Sequence, residues 1–119
     1  MLIVAEPTPS INRLLGRHWT KRRANKQQWW KLLLEASSKT RAIPACWPKA
    51  YIGITRYGAK LLDYDNFVAG CKSAVLDNLR QMGFFEDDSP DKLDAVYSQR
   101  AVGRDKRLHR TEIILESRE

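Results

Sequence analysis

The sequence is poor in the residues that stabilise disulfide-rich and zinc-stapled proteins. It has two cysteines, Cys46 and Cys71, and two histidines, His18 and His109, in 119 residues. Two cysteines are too few for a disulfide framework, and the four residues lack the spacing of a zinc site. We therefore expect both thiols to be small buried side chains in a reducing cytoplasm, and both histidines to be polar surface groups or partners of the backbone.

The chain also lacks a long hydrophobic run. No apolar stretch approaches the length of a membrane span, so no membrane partner is expected. Residues 1–5 lack the basic start and the long apolar stretch of a secretory signal, and they favour a short first strand. With 43% hydrophobic residues, a chain of this length can bury a core of its own, and we expect one domain over residues 1–119.

Positive charge is unevenly distributed along the chain. Residues 1–60 hold 12 Lys or Arg and 2 Glu, whereas residues 61–119 hold 9 basic and 12 acidic side chains. The basic half would attract a polyanion, and the acidic half could hold a cation. A net charge of +7 alone is only a weak sign of nucleic-acid binding, so the acidic half decides the interpretation.

Two segments have the apolar period of an amphipathic helix, residues 22–40 and residues 66–82. Asp65 or Asn66 can cap the start of the second helix, and Gly83 stands where a left-handed C-cap belongs. The first stripe consists of Trp30, Leu33, Leu34 and Ser37, with Trp29 on its flank, and the second of Phe67, Cys71, Ala74, Val75, Leu79 and Met82.

Strands are predicted where β-branched and aromatic residues cluster or where apolar and polar residues alternate. Besides the first strand, these segments are residues 49–57, 92–102 and 108–116, with a turn at Gly103 and Asp105. The element order is therefore β-α-β-α-β-β. This order predicts a small α+β domain in which two helices pack on one face of a mixed, mostly antiparallel sheet.

Carboxylates concentrate at both ends of the second predicted helix. Asp63 and Asp65 stand two residues apart, so in extended backbone they would point to the same side and could share Mg²⁺. A further cluster, residues 86–88, follows the helix, and spacing alone does not place it. A helix cap beside a solvated charge, followed by a polar turn, would produce the same pattern, so the residues alone leave both interpretations open.

Basic residues gather before and within the first helix. Such a cluster could track DNA phosphates, although a solvated basic loop has the same composition. Trp29 and Trp30 lie on the apolar stripe and are expected in the core or a dimer interface. The candidate DNA-contacting residues are Arg13, Arg17, Lys21, Arg22, Arg23, Lys26 and, just before the acidic pair, Lys60.

These motifs together resemble the RusA family of crossover (Holliday) junction endonucleases, which phages and prophages often encode. The resemblance lies in Asp-Tyr-Asp-Asn at residues 63–66, Val-Leu-Asp-Asn-Leu at 75–79, Gly-Phe-Phe-Glu-Asp-Asp-Ser at 83–89 and Pro-Ser-Ile-Asn-Arg at 9–13. It extends from about residue 2 to the C-terminus. The combination is fairly specific, whereas the paired aspartates by themselves are not.

The resemblance implies a Mg²⁺-dependent nuclease, with Mn²⁺ as a substitute and no small-molecule cofactor. Asp63, Asp65 and Asp88 would bind the metal, and Asp87 would be an outer group or a spectator. The protein would act in the cytoplasm as a homodimer with one metal site per subunit. Each subunit would nick one strand of a four-way junction, in DNA recombination and repair.

The sequence departs from the family pattern at one position. Ala69 stands where the family usually has a lysine, four residues after the second aspartate. Lys72, about one helical turn further, faces nearly the same way and could act in its place, as could Lys60. Lys72 could equally be a solvated surface lysine. Alternatives to the junction nuclease are a DNA-binding or regulatory module with little or no catalysis, and a nuclease for other branched nucleic acids.

Overall fold

The computed structural model of the protein describes residues 1–10 and 19–118, and the side chains of all of these except residues 19–22. The predicted order β-α-β-α-β-β is confirmed. The elements are β1 (Leu2–Val4), α1 (Trp19–Thr40), β2 (Ala50–Gly58), α2 (Tyr64–Cys71), a π-helical segment (Lys72–Leu76), α3 (Asp77–Met82), β3 (Leu93–Ala101), a 3₁₀ turn (Lys106–Leu108) and β4 (Arg110–Ser117).

The four strands form one mixed sheet in the order β1-β4-β2-β3. β2 and β3 are parallel, while β4 is antiparallel to both β2 and β1. The register pairs Gly58 with Ala101, Tyr57 with Arg110 and Val4 with Thr111. The carboxyl ends of β1, β2 and β3 therefore lie together with the start of β4, and we call this edge the carboxyl end of the sheet.

The core lies between one face of this sheet and the two helices, as predicted. The opposite face is open, since Val96 and Ile114 remain 48% and 41% exposed. A small chain can be stable with one such core because each large buried side chain contributes about 1.5–3 kcal/mol. The largest buried side chains include Trp29 and Leu33 of α1, Phe67, Val75 and Leu79 of the second helix, and Ile52, Ile54 and Ile113 of the sheet.

The face that α1 buries differs from the predicted one. Trp29 is 1% exposed and Leu33 is fully buried, whereas Leu34 is 52% exposed and Trp30 lies at the margin. The packed stripe is Trp29, Leu33, Ala36 and Ser37. Apolar residues cover a wide arc of this helix. The spacing of the apolar residues therefore predicted a helix, but it did not predict which side of that arc packs against the sheet.

The second helix is continuous from Tyr64 to Met82 but is not α-helical throughout. It begins two residues earlier than predicted, contains the π-helical segment, and ends as predicted at Gly83, whose φ is +90°. A π turn contains one residue more than an α-helical turn. Ala74, Val75 and Leu76 are all buried in this segment, so the apolar stripe of the helix continues through it.

The two cysteines have different surroundings, and the prediction that both are buried is wrong for Cys46. Cys46 is exposed, with φ +49°, and its N–H donates to the Gly83 carbonyl at 2.7 Å. Cys71 is buried, and burial raises the pKa of its thiol to about 12. Its neutral thiol lies 3.7 Å from the Thr8 hydroxyl and packs as a small core group.

In the part of the chain that the structure describes, no helix combines the length and the apolar composition that crossing a membrane requires.

Candidate functional site

The acidic pair stands on backbone that is held from both sides. The connection from β2 to α2 passes Leu62, whose N–H donates to Gln99 Oε1 at 2.9 Å. Gln99 Nε2 donates back to the Leu62 carbonyl at 2.8 Å. Arg56 anchors the same connection by donating to the Lys60 carbonyl at 3.3 Å. These bonds attach the residue before Asp63 to β3, close to the carboxyl end of the sheet.

Asp63 is the N-cap residue of α2, and Asp65 lies in its first turn. The carboxylate of Asp63 makes no capping bond, although its carbonyl accepts the Phe67 N–H at 2.9 Å. The prediction that Asp65 or Asn66 caps the helix is therefore wrong. Asp65 is helical, so the extended-chain rule used to pair it with Asp63 does not apply. The two residues instead occupy the N-cap position and the first turn at the amino end of the helix.

Both aspartates are exposed, and within residues 1–10 and 19–118 neither side chain accepts a hydrogen bond or forms an ion pair. Two neighbouring carboxylates repel one another, and the partial positive charge of a helix amino end offsets part of that repulsion. A cation would offset more. Asp63 and Asp65 are thus available as ligands without the loss of any contact that holds the fold.

Asn66, next to the pair, is turned inward. It is 9% exposed, and its Nδ2 donates to the hydroxyl of Ser10 at 2.7 Å. This bond attaches the segment after β1 to the first turn of α2. The Pro-Ser and Asp-x-Asp-Asn motifs, 56 residues apart in sequence at these two side chains, are therefore neighbours in the fold.

An aromatic cluster beside the acidic pair joins α2 to β3. The rings of Tyr64 and Phe67 pack edge to face at 6.5 Å, and those of Phe67 and Tyr97 do so at 6.4 Å. Burial, with smaller effects from Cys71, Tyr64 and Asp88, raises the pKa of the half-buried Tyr97 hydroxyl to about 12.

Tyr97 is not among the site residues predicted from the sequence, because the alternation over residues 92–102 predicts only a strand there. Its edge-to-face contact with Phe67 depends on the packing of β3 against α2, which no local pattern contains. The one signal available was the presence of a tyrosine rather than an aliphatic residue in that strand.

The three acids at residues 86–88 have different roles in the turn that follows the helix. Glu86 forms an ion pair with Lys92 at 2.8 Å. Asp87 Oδ1 accepts the Asp88 N–H at 2.8 Å, and this bond is the main reason that the pKa of the Asp87 carboxyl is lowered. Two of the three acids thus stabilise the turn, and Asp88 is exposed.

Among the residues that the structure describes, no group of three or more Asp, Glu, His or Cys side chains is arranged to hold a metal ion. Asp63, Asp65 and Asp88 are therefore not gathered into one ligand set in the chain. Mg²⁺ commonly binds one or two carboxylates and keeps several waters. The donor chemistry of Asp63 and Asp65 fits such an ion, and Asp88 lies outside the pair.

The two candidate lysines are both exposed. Lys72 directly follows α2 and lies seven residues, or about 10 Å along the axis, after Asp65. Seven residues at 3.6 per turn return to within about 20° of the same face. Lys60 precedes the pair in the anchored connection. Ala69 is partly buried. Because it is an alanine, the helix has no cation at the position where the family usually has one.

The structure describes the side chains of only some of the predicted DNA-contacting residues. Arg13 and Arg17 lie outside the described residues, and Lys21 and Arg22 lie in α1 with side chains that are not described. Arg23 is exposed. Lys26 forms an ion pair with Asp77 at 3.4 Å, with both side chains about one-third exposed.

Of the histidines, His109 is a backbone partner as predicted, and His18 lies outside the described residues.

Comparison of the chain with protein-family models, with curated proteins and with solved structures found no match in any of the three. The resemblance to the RusA family therefore rests on the motifs alone.

Proposed function

We propose that the protein is a Mg²⁺-dependent endonuclease that resolves four-way DNA junctions by paired nicks in recombination and repair. The observation that carries this proposal is the pair Asp63 and Asp65, two exposed carboxylates without protein partners at the amino end of α2. The anchored backbone at Leu62 places them beside a basic connection. Nearby like charges repel one another, and a cation bound between them would relieve that repulsion.

The chemistry of phosphodiester hydrolysis suits these residues. A divalent cation bound there would neutralise charge on the scissile phosphate and lower the pKa of a bound water. Asp63 and Asp65 would hold the cation, and water molecules would supply its remaining ligands. Lys72, on the face of Asp65, would stabilise negative charge that develops on the phosphate oxygens. Mn²⁺, which also accepts oxygen ligands, would substitute for Mg²⁺.

DNA binding in this proposal uses the basic half of the chain. Arg13, Arg17, Lys21, Arg22, Arg23, Lys26 and Lys60 would contact phosphates, giving affinity without sequence readout. A homodimer with one site per subunit would place a nick in each of two strands. We place this activity in the cytoplasm of a bacterial cell, where the free thiols of Cys46 and Cys71 would stay reduced.

The test is a cleavage assay with a labelled four-way junction and a linear duplex of the same sequence, with Mg²⁺ and with EDTA. Paired symmetric nicks in the junction alone, dependent on Mg²⁺, are the expected result. Asp65→Asn should remove them. Asp94→Asn, which makes the same chemical change at an exposed site on β3, should retain them. Equal cleavage of the linear duplex would contradict selectivity for junctions.

A second candidate is a junction-binding module with little or no catalysis. Two observations favour it, namely Ala69 in place of the expected lysine and the lack of an assembled three-acid group in the described chain. Tight junction binding with no nicks in Mg²⁺ or Mn²⁺ would support this candidate and exclude the nuclease.

A further inference from the structure

A broad groove lies at the carboxyl end of the sheet, with a volume of about 1040 Å³. Four parts of the chain form its walls. They are the segment after β1, the α1 residues around Gln28, the Ala59–Leu62 connection and the loop between β3 and β4. Among its described lining residues are three cations, Arg56, Lys60 and Lys106, and no aspartate or glutamate. The groove is therefore positively charged.

Its charge is not fully compensated by the protein. Arg56 is buried and directed inward, donating to the Thr8 and Lys60 carbonyls. Lys60 and Lys106 are exposed, and neither makes an ion pair within the described chain. By contrast, the neighbouring arginines Arg107 and Arg110 are paired, with Asp105 at 3.0 Å and Glu112 at 2.6 Å. Two lysine ammonium groups are thus left to face solvent or a ligand.

The loop that carries Lys106 is internally braced. Asp105 caps the 3₁₀ turn by accepting the Arg107 N–H at 3.1 Å, and its carboxylate also binds the Arg107 side chain. The ring of His109 donates from Nε2 to the Gly103 carbonyl at 2.7 Å. A loop held in this way loses little conformational entropy when it binds a partner. Lys106 is consequently presented from a preformed turn.

The groove adjoins the acidic pair. Leu62 lines it and precedes Asp63, and Ser10, another lining residue, accepts the hydrogen bond from Asn66. A strand of phosphates lying in the groove past Lys60 would therefore continue towards Asp63 and Asp65. Small anions need a compact site with converging donors, whereas two separated lysines along an open groove suit a polyanion.

We infer that this groove binds the sugar-phosphate backbone of one DNA arm, with Lys106 of the β3–β4 loop and Lys60 as its phosphate contacts. The inference rests on the proposed function for the identity of the polyanion. It adds a DNA-contacting element, residues 103–109, to the basic residues predicted from the sequence. Contacts of this kind give affinity that depends on salt and not on base sequence.

The test measures binding separately from cleavage. A fluorescently labelled four-way junction is titrated with the full-length protein in EDTA at several salt concentrations, and the dissociation constant is read from anisotropy. The variants are Lys60→Gln, Lys106→Gln and both together. Lys49→Gln is the matched control, because Lys49 is also exposed but precedes β2, about 30 Å along the strand from Lys60. Lys106→Arg keeps the charge and serves as the rescue variant.

Each single change is expected to weaken binding about three- to tenfold, and the double change should lower the slope of log K against log salt by about 2. Lys49→Gln and Lys106→Arg should bind like the wild type. If the wild type binds and the double variant matches Lys49→Gln, the groove inference is overturned while the nuclease proposal stands. If these binding effects hold but Mg²⁺ yields no nicks, the nuclease proposal fails alone. No binding by the wild type would overturn the groove inference.

Discussion

The buried face and the exposed amino end of the helix from Tyr64 to Met82 differ in what they contribute. Phe67, Val75 and Leu79 are fully buried and pack against the sheet and α1. Asp63 and Asp65 contact no polar partner in the described chain. The difference indicates that stability and chemistry lie on separate residues of one element, so a substitution can change one and spare the other. Substitutions on the two sides of this separation should therefore differ in their effect on stability, with the largest loss at the buried face.

Phe67→Ala should destabilise the protein most. The ring is fully buried and lies edge to face with both Tyr64 and Tyr97, so its removal leaves a cavity and ends two aromatic contacts. We expect a loss of about 3–5 kcal/mol in the free energy of unfolding, measured by urea denaturation. A loss below about 1 kcal/mol would show that the aromatic cluster is not part of the core.

Asn78→Ala should have the next largest effect. Asn78 is 2% exposed, and its Nδ2 donates to the Ala74 carbonyl at 2.9 Å and the Lys26 carbonyl at 3.1 Å, joining α3 to α1. Loss of a buried donor should cost about 1–3 kcal/mol. The comparison is Lys26→Gln, which removes a partly exposed ion pair between the same two helices and should cost less than about 1 kcal/mol. Urea denaturation that ranks the two variants in the opposite order would contradict this assignment.

Gly103→Ala should have a moderate effect through the backbone alone. The φ of Gly103 is +77°, and an added Cβ would meet no atom within 4 Å. The left-handed conformation costs a residue with a Cβ about 1–2 kcal/mol, so the variant should lose about that amount in thermal or urea unfolding. An unchanged stability would mean that the β3–β4 loop adopts another conformation, and the bracing of Lys106 would then need revision.

Asp65→Asn should affect stability least. The change removes a favourable interaction with the helix amino end, worth about 0.3–1 kcal/mol, but also relieves repulsion from Asp63. The free energy of unfolding should shift by less than about 1 kcal/mol. Under the proposed function, the same change should lower junction cleavage by at least about 100-fold. A variant that unfolds readily would break the separation between scaffold and site.

Much of the fold could be predicted from local patterns. Alternation identified β3 and β4, and Gly83 marked the end of the second helix through its left-handed conformation. Three features could not be predicted. They are the face of α1 that packs, the π-helical segment and the 3₁₀ turn at Lys106–Leu108. Each depends on which neighbours surround an element, and the spacing of apolar residues does not contain that information.

The candidate site was predictable only in part. Asp63 and Asp65 are close in sequence, so their proximity needs no tertiary information. The neighbourhood of Asp88 and Tyr97 depends on how the chain returns from Met82 to β3. The groove depends on the parallel pairing of β2 with β3, which brings the Ala59–Leu62 connection and the β3–β4 loop to one edge of the sheet. Charge composition indicated that basic residues matter, but it selected Lys60 and those before and within the first helix, and not Lys106.

The central claim is that Asp63 and Asp65 bind a divalent cation, and Mn²⁺ binding followed by electron paramagnetic resonance tests it most directly, without DNA. We expect the wild-type protein to take up about one Mn²⁺ per chain, displaced by Mg²⁺. Asp94→Asn should bind Mn²⁺ equally well, and the double variant Asp63→Asn/Asp65→Asn should lose this binding while keeping its fold. Equal Mn²⁺ binding by the wild type and a folded double variant would contradict the claim.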